Sequence, residues 1–245
     1  AEAWADACHG MAPPHPSLPL VKYFYFPGFS PATGGLLREH DLLATRDAEI
    51  AQCLRYDTLE ISLFCYDSAP VGELLELLAE SPTAVRLHVA PGQPLAAVAA
   101  HFGGNGPWQC GALSVLPFEF LPQEDFDRLL WCCDINFVRG EDSFVRAQWA
   151  ANTFVWQAYR QADEAQLDKV DAFLQRYIAG LSATGANAAV DLFQAWNSGC
   201  GLRQAWESFL AARPEITTHN HHWAERLAGN RDLTEALVKF CAGKV

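Results

Sequence analysis

The densest grouping of chemically capable side chains in this sequence is Arg139-Gly140-Glu141-Asp142-Ser143. A guanidinium, two carboxylates and a hydroxyl so close together can bind an anion, hold a cation and move a proton. The preceding stretch, Ile135 to Val138, is apolar, and the following Phe144-Val145-Arg146-Ala147-Gln148-Trp149 is apolar at helical spacing. The run therefore reads as strand, tight turn and helix. Gly140 lets the backbone turn sharply, and Asp142 or Ser143 can cap the helix. Its first N–H groups and positive dipole end are then left at the carboxyl edge of a parallel sheet, where a pyrophosphate fits. An ordinary capped turn has the same spacing, but it does not need charges of both signs.

Two further segments sit at strand ends in the same way. Phe118-Glu119-Phe120-Leu121-Pro122-Gln123 places Phe120 where it could stack on a base and Gln123 where it could hydrogen-bond a base edge. Core packing and helix capping are the plainer roles for these two. In Phe64-Cys65-Tyr66-Asp67, the Tyr66 hydroxyl could reach a phosphate or simply pack. His219-Asn220-His221-His222 suggests metal only superficially, because it lacks an i,i+4 pair with a carboxylate between. Gly34-Gly35 could form an anion nest, or allow a hinge or close backbone approach after Pro31.

The elements that must position these residues alternate from about residue 58 onward. Strands are expected at Glu60–Tyr66, Ala84–Val89, Ala112–Pro117, Ile135–Val138 and Thr153–Gln157. Helices are expected at Val71–Glu80, Pro94–His101, Gln123–Cys133, Ser143–Ala151 and Gln166–Leu181, then near Asn187–Trp196 and Leu202–Ala212. This is the grammar of an α/β, Rossmann-like, doubly wound parallel sheet covering residues 58–228. Residues 1–57 read as a structured connector, rich in Pro and Gly but interleaved with Tyr23-Phe24-Tyr25-Phe26, a candidate short strand. Residues 229–245 read as an amphipathic helix, with Leu233, Leu237, Phe240 and Cys241 in one stripe that needs a partner surface.

Composition narrows the partners. A formal charge of −12 disfavours nucleic acid and anionic membranes, and no apolar run approaches the roughly 18 residues that span a bilayer. Hydrophobic residues make up 50% of the chain, enough for a core and too many for disorder. The eight cysteines form no C-x-x-C pair, and most lie in apolar stretches, which suits reduced thiols in a cytoplasmic protein.

Together, Pro27 to Glu39, Ser62 to Tyr66, Phe126-Asp127-Arg128-Leu129-Leu130-Trp131 and Asn136 to Trp149 strongly resemble the elongation factor P arginine rhamnosyltransferases. The resemblance continues through Phe154-Val155-Trp156-Gln157 and Leu167-Asp168-Lys169, with local departures at Arg160 and Gln166. It implies the C-terminal lobe of a two-lobed GT-B glycosyltransferase that takes rhamnose from dTDP-β-L-rhamnose and places it, with inversion and without metal or other cofactor, on an arginine of elongation factor P. Carried over by motif, Phe120 and Gln123 hold the thymine. Phe64 lies in the donor pocket, and Tyr66 and Ser143 with nearby amides hold the pyrophosphate. Arg139, Glu141 and Asp142 complete the reaction centre.

The resemblance also places a catalytic aspartate on a Gly/Asp-rich strand–turn–helix of an N-terminal lobe, and nothing before Pro13 matches it. Residues 1–57 and the last helix are then the tail portions of that lobe, and the chain is expected to bind donor without turnover. Two other functions fit the residues alone: a non-catalytic nucleotide-binding or adaptor module, and a GT-B transferase using a UDP-sugar.

Overall fold

A computed structural model describes residues 2–53, 57–161 and 165–244. The chain forms two compact units, residues 43–221 and residues 1–42 with 222–245.

In the larger unit, short β-branched and apolar segments alternate with amphipathic helices. They build β1 (Thr58–Leu63), α3 (Val71–Ala79), β2 (Ala84–Val89), α4 (Gln93–Phe102), β3 (Trp108–Cys110), β4 (Leu113–Pro117), α5 (Gln123–Cys132), β5 (Ile135–Arg139), α6 (Asp142–Ala150) and β6 (Thr153–Gln157). The six-stranded sheet has the order β3-β4-β2-β1-β5-β6, parallel except for β3 on β4. Leu63 of β1 is in register with Val89 of β2 on one side and Phe137 of β5 on the other. The chain winds outward from β1 through β2 to the edge strand β3, returns antiparallel to it in β4, then crosses back to β5 and winds the other way. The carboxyl end of β1 is therefore the switch point at which doubly wound sheets bind ligands.

Burial explains why these runs are not alternating. Every residue of β6 is buried, and so are Ile61, Leu63, Ile135, Phe137 and Val138. An aromatic cluster covers β5 and β6, with Phe137 against Trp196 at 4.4 Å and Phe144 stacked on Trp156 at 4.1 Å. Trp196 belongs to α8 (Ala183–Ser198), which follows α7 (Ala165–Tyr177). Among the described residues Trp196 Nε1 and the Tyr25 hydroxyl are buried without a hydrogen-bond partner, whereas the polar side chains around the end of α5 are bonded. Ser62 Oγ donates to Asn136 Oδ1 at 2.6 Å, Asn136 Nδ2 donates to the Leu130 carbonyl, and Asn152 Nδ2 donates to the Leu130 and Trp131 carbonyls. These side chains satisfy the last carbonyls of α5, which have no partner within the helix.

Several boundaries differ from the sequence expectation. Helix α9 (Leu202–Ala228) continues through Pro214 instead of ending near Ala212, because the apolar stripe resumes at Ile216, Trp223 and Leu227, whose burial outweighs the roughly 3 kcal/mol that a proline costs inside a helix. Helix α2 (Leu42–Ile50) and the three-residue β3 had no periodic signal. The expectation of reduced thiols is corrected at one pair. Cys53 and Cys132 are disulfide-bonded, with Cα atoms 5.8 Å apart. Cys132 ends α5 facing outward, whereas its neighbour Cys133 is buried, so adjacent residues meet opposite environments.

In the smaller unit, α1 (Glu2–Cys8) precedes an extended aromatic segment, and α10 (Leu233–Ala242) ends the chain. Tyr23 to Phe26 does not form the strand its composition suggests. It makes single bonds instead, Lys22 N–H to the Pro13 carbonyl and Phe24 N–H to the Met11 carbonyl, because the prolines around it cannot donate to a ladder. Its rings pack on α1 and α10: Phe26 on Trp4 at 5.0 Å and Tyr25 on Phe240 at 4.9 Å. Asp232 caps α10 by accepting from the N–H groups of Thr234 and Glu235. Gly35 has φ +77°, and a Cβ there would sit 2.0 Å from the Arg231 carbonyl oxygen. Of the roles open to Gly34-Gly35, close backbone approach is the one this geometry matches at Gly35.

Candidate functional site

All eight residues singled out by motif line one cavity of about 400 Å³ at the carboxyl edge of the sheet. The segment just after β1 delivers Phe64 and Tyr66, the segment after β4 delivers Phe118 and Phe120, α5 opens with Gln123, and β5 with the first turn of α6 delivers Arg139 to Ser143.

At one end the cavity is aromatic. Phe120 is 84% exposed, so it contributes nothing to the core and its face is available. Phe126 packs edge-on against Phe64 at 6.0 Å and forms the floor. The Gln123 side-chain amide donates to Asp127 Oδ1 at 3.1 Å instead of capping α5, whose N-cap is Pro122 with no side-chain bond.

The other end is polar. Gly140 holds φ +63° at the turn between β5 and α6, and its carbonyl accepts from Trp156 Nε1 at 2.6 Å. A Cβ at Gly140 would meet the Tyr66 hydroxyl at 3.1 Å, so the missing side chain lets that hydroxyl approach the turn. Neither Asp142 nor Ser143 caps α6 in the expected way. Glu141 occupies the N-cap position with no side-chain bond, and the buried Ser143 hydroxyl turns back to accept from the Arg139 N–H and donate to the Arg139 carbonyl. The turn is thereby locked. The first-turn N–H groups of α6 have no acceptor within the helix, and Asp142 and Ser143, which open that turn, line the cavity's polar end. Glu141 and Asp142 are exposed beside them.

The Arg139 guanidinium lies over two rings, its carbon 4.3 Å from the Phe64 centroid and 4.6 Å from the Tyr66 centroid, and donates to Gln93 Oε1. The two ring contacts and the bond to Gln93 hold the guanidinium at the cavity wall, with further N–H groups left to donate. Burial raises the Tyr66 hydroxyl above its ordinary pKa; the Arg139 charge opposes this and Glu141 adds to it. Tyr66 therefore stays protonated at neutral pH and can donate to an anion.

Three supporting residues are given no role by any motif. Gln157 accepts the Tyr66 N–H at 2.7 Å and donates to Ser68, which anchors the loop after β1. Gln93, the first residue of α4, aims Arg139. Asp127 aims Gln123. A buried glutamine ending a parallel strand, as Gln157 does, was the available signal, since such a residue must find partners.

The other polar clusters are structural. His219 is buried with Nε2 2.6 Å from the Tyr177 carbonyl, and Asn220 accepts from the Tyr177 hydroxyl. Among the described residues no three His, Cys, Asp or Glu side chains gather as a metal site, and no helix is long and apolar enough to cross a membrane. A hollow of about 380 Å³ opens at the opposite edge of the sheet around Asp57, Glu60 and Asp134, with no aromatic side chain or helix N-terminus, and its Arg213 is already paired with Asp134 at 3.4 Å.

Residues 1–242 match the model of the elongation factor P (EF-P) rhamnosyltransferase EarP family. A protein-arginine rhamnosyltransferase of Pseudomonas putida is 42% identical, over 98% of this chain and 68% of its own length. That of Pseudomonas aeruginosa is 40% identical, over 99% and 69%. A solved structure concerned with EarP-mediated arginine glycosylation of translation elongation factor EF-P superposes with TM-score 0.80 at 38% identity, over 91% of this chain and 76% of that one.

Proposed function

Because this chain belongs to the elongation factor P rhamnosyltransferase family, we propose that its carboxyl-edge cavity binds dTDP-β-L-rhamnose for inverting transfer of rhamnose to an arginine of elongation factor P in the cytoplasm. The observation that carries this reading is the convergence of Phe64, Tyr66, Phe120, Gln123, Arg139, Glu141, Asp142 and Ser143 on one cavity at the switch point of the sheet.

The geometry is compatible with the roles that the family resemblance implies. Phe120 stacks on the thymine and Gln123 meets its edge. The Tyr66 hydroxyl and the first-turn amides of α6 take the pyrophosphate, and Ser143 holds their turn in shape through its bonds to Arg139. As the glycosidic bond breaks, negative charge grows on the leaving dTDP; these donors and the ring-stacked Arg139 are already aimed at it and need no reorganisation. This supplies positive potential from the protein itself, so donor affinity should be unchanged by a metal chelator.

The acceptor needs a different group. A guanidinium with a pKa of about 12.5–13.8 has no free lone pair, so a carboxylate must bind it, localise its charge and take a proton as the new bond forms. Glu141 and Asp142 stand at the cavity's polar end, on the donor side. The family resemblance puts the base itself on an aspartate-bearing turn of an N-terminal lobe, and nothing before Pro13 matches that turn. We therefore expect the chain alone to bind donor without transferring sugar. Mass spectrometry of elongation factor P incubated with the chain and dTDP-rhamnose should show no adduct, and addition of an aspartate-bearing N-terminal lobe should produce one rhamnose on arginine. An adduct formed by the chain alone would overturn this placement of the base.

A further inference from the structure

The geometry points to Asp127 as a positioning residue that makes Gln123 a hydrogen-bond acceptor and so selects a pyrimidine carrying a proton on N3. This inference rests on the donor-binding reading of the cavity and deepens it to base specificity.

Asp127 is on α5, one turn after Gln123, and is only 5% exposed. Its two oxygens face different elements. Oδ1 accepts from Gln123 Nε2 at 3.1 Å, and Oδ2 accepts from Nη1 of Arg146, on α6, at 3.2 Å. A carboxylate in an ion pair can only accept, so it dictates which end of the otherwise ambiguous Gln123 amide turns inward. The nitrogen faces Asp127, and Oε1 is left toward the cavity, where among the described residues it has no protein donor. Arg146, itself 5% exposed, ties this arrangement to the helix whose N-terminus forms the polar end.

A base stacked on Phe120 thus meets an acceptor of fixed direction. Thymine and uracil present an N3–H to it. Cytosine presents a lone pair at N3, and the amide cannot turn over to suit it without placing its oxygen against the Asp127 carboxylate. An exposed glutamine without Asp127 would flip freely and read both equally.

The test is a cycle of the wild-type chain, Asp127→Asn, Gln123→Ala and the double variant, each titrated calorimetrically with dTDP and with dCDP after a melting curve has shown it folded. Wild type should prefer dTDP by about tenfold or more, the worth of one hydrogen bond exchanged for a lone-pair clash. Either single variant should bring the two affinities within about threefold, and the double variant should change the ratio no further. If Asp127→Asn does not fold because Arg146 loses its buried partner, Asp127→Leu with Arg146→Met removes both charges, and the same loss of preference is expected. Retention of the preference in either Asp127 variant would overturn the inference. So would an Asp127→Asn effect that persists undiminished in the Gln123→Ala background, since Asp127 would then be acting on the fold. A wild-type chain that binds both nucleotides equally refutes base selection alone, and one that binds neither refutes donor binding itself.

Discussion

Phe120 is a large apolar side chain left 84% exposed at the mouth of a cavity, which is costly unless something covers it. The Phe120→Ala variant should lose about 1–3 kcal/mol of dTDP binding, the usual worth of a base–aromatic stack. Its melting temperature should be unchanged, because nothing in the core touches the ring; calorimetry and a thermal melt check the two halves separately. A drop in stability of about 3–5 kcal/mol would assign Phe120 to packing instead. At this scale the sequence was informative about residue type and less so about partners. The Arg139–Ser143 run could be seen to hold more charge than a cap requires. That Ser143 bonds back to Arg139, and that Arg139 lies over the Phe64 and Tyr66 rings, depends on side-chain directions no spacing encodes.

Among the elements, the turn joining β5 to α6 does most to shape the site. Gly140 is needed there twice, once for φ +63° and once because a Cβ would crowd the Tyr66 hydroxyl at 3.1 Å. Gly140→Ala should therefore cost about 1–2 kcal/mol of stability from the left-handed backbone and also weaken dTDP binding by moving Tyr66 or the α6 amides. Melting curves and titrations of the same sample measure both, and an alanine variant matching wild type in each would show that the turn tolerates a side chain. The parallel strands were legible because both of their faces are covered and their composition is nearly uniform. The run of α9 past Pro214 was not. Proline's local penalty is visible in sequence, whereas the resumed apolar stripe that outweighs it becomes persuasive only when its packing is seen.

For the chain as a whole, burial of ionisable groups sets a limit at alkaline pH. Burial pushes the Cys65 thiol up to about 12, with Asp67 adding and Arg139 opposing, and it likewise raises Cys133 and the fully enclosed Tyr177. When unfolded, these groups lose their protons at ordinary values, about 8.5 for a thiol and 10 for a tyrosine, while the folded chain still holds them. Their contribution to stability is complete below about pH 8.5 and disappears as pH rises through the folded values. The melting temperature should fall steadily above about pH 9, and Cys65→Ala should flatten part of that fall. A melting temperature constant from pH 8 to 11 would contradict the assignment. The doubly wound architecture was readable because the alternation of strands and helices admits few topologies. The Cys53–Cys132 bond was not, since connectivity between cysteines 79 residues apart depends on where the fold carries them.

The central claim is that one cavity at the carboxyl end of β1 holds the nucleotide sugar. Titrating dTDP-β-L-rhamnose into the isotope-labelled chain and following backbone amide resonances tests it directly. Saturable shifts are predicted at Tyr66, Gln123 and Gly140 through Phe144, accompanied by heat of binding in a parallel calorimetric run. A folded chain that shows no heat and no shifts at those amides at millimolar donor, or shifts confined to the opposite edge of the sheet around Glu60 and Asp134, would contradict it.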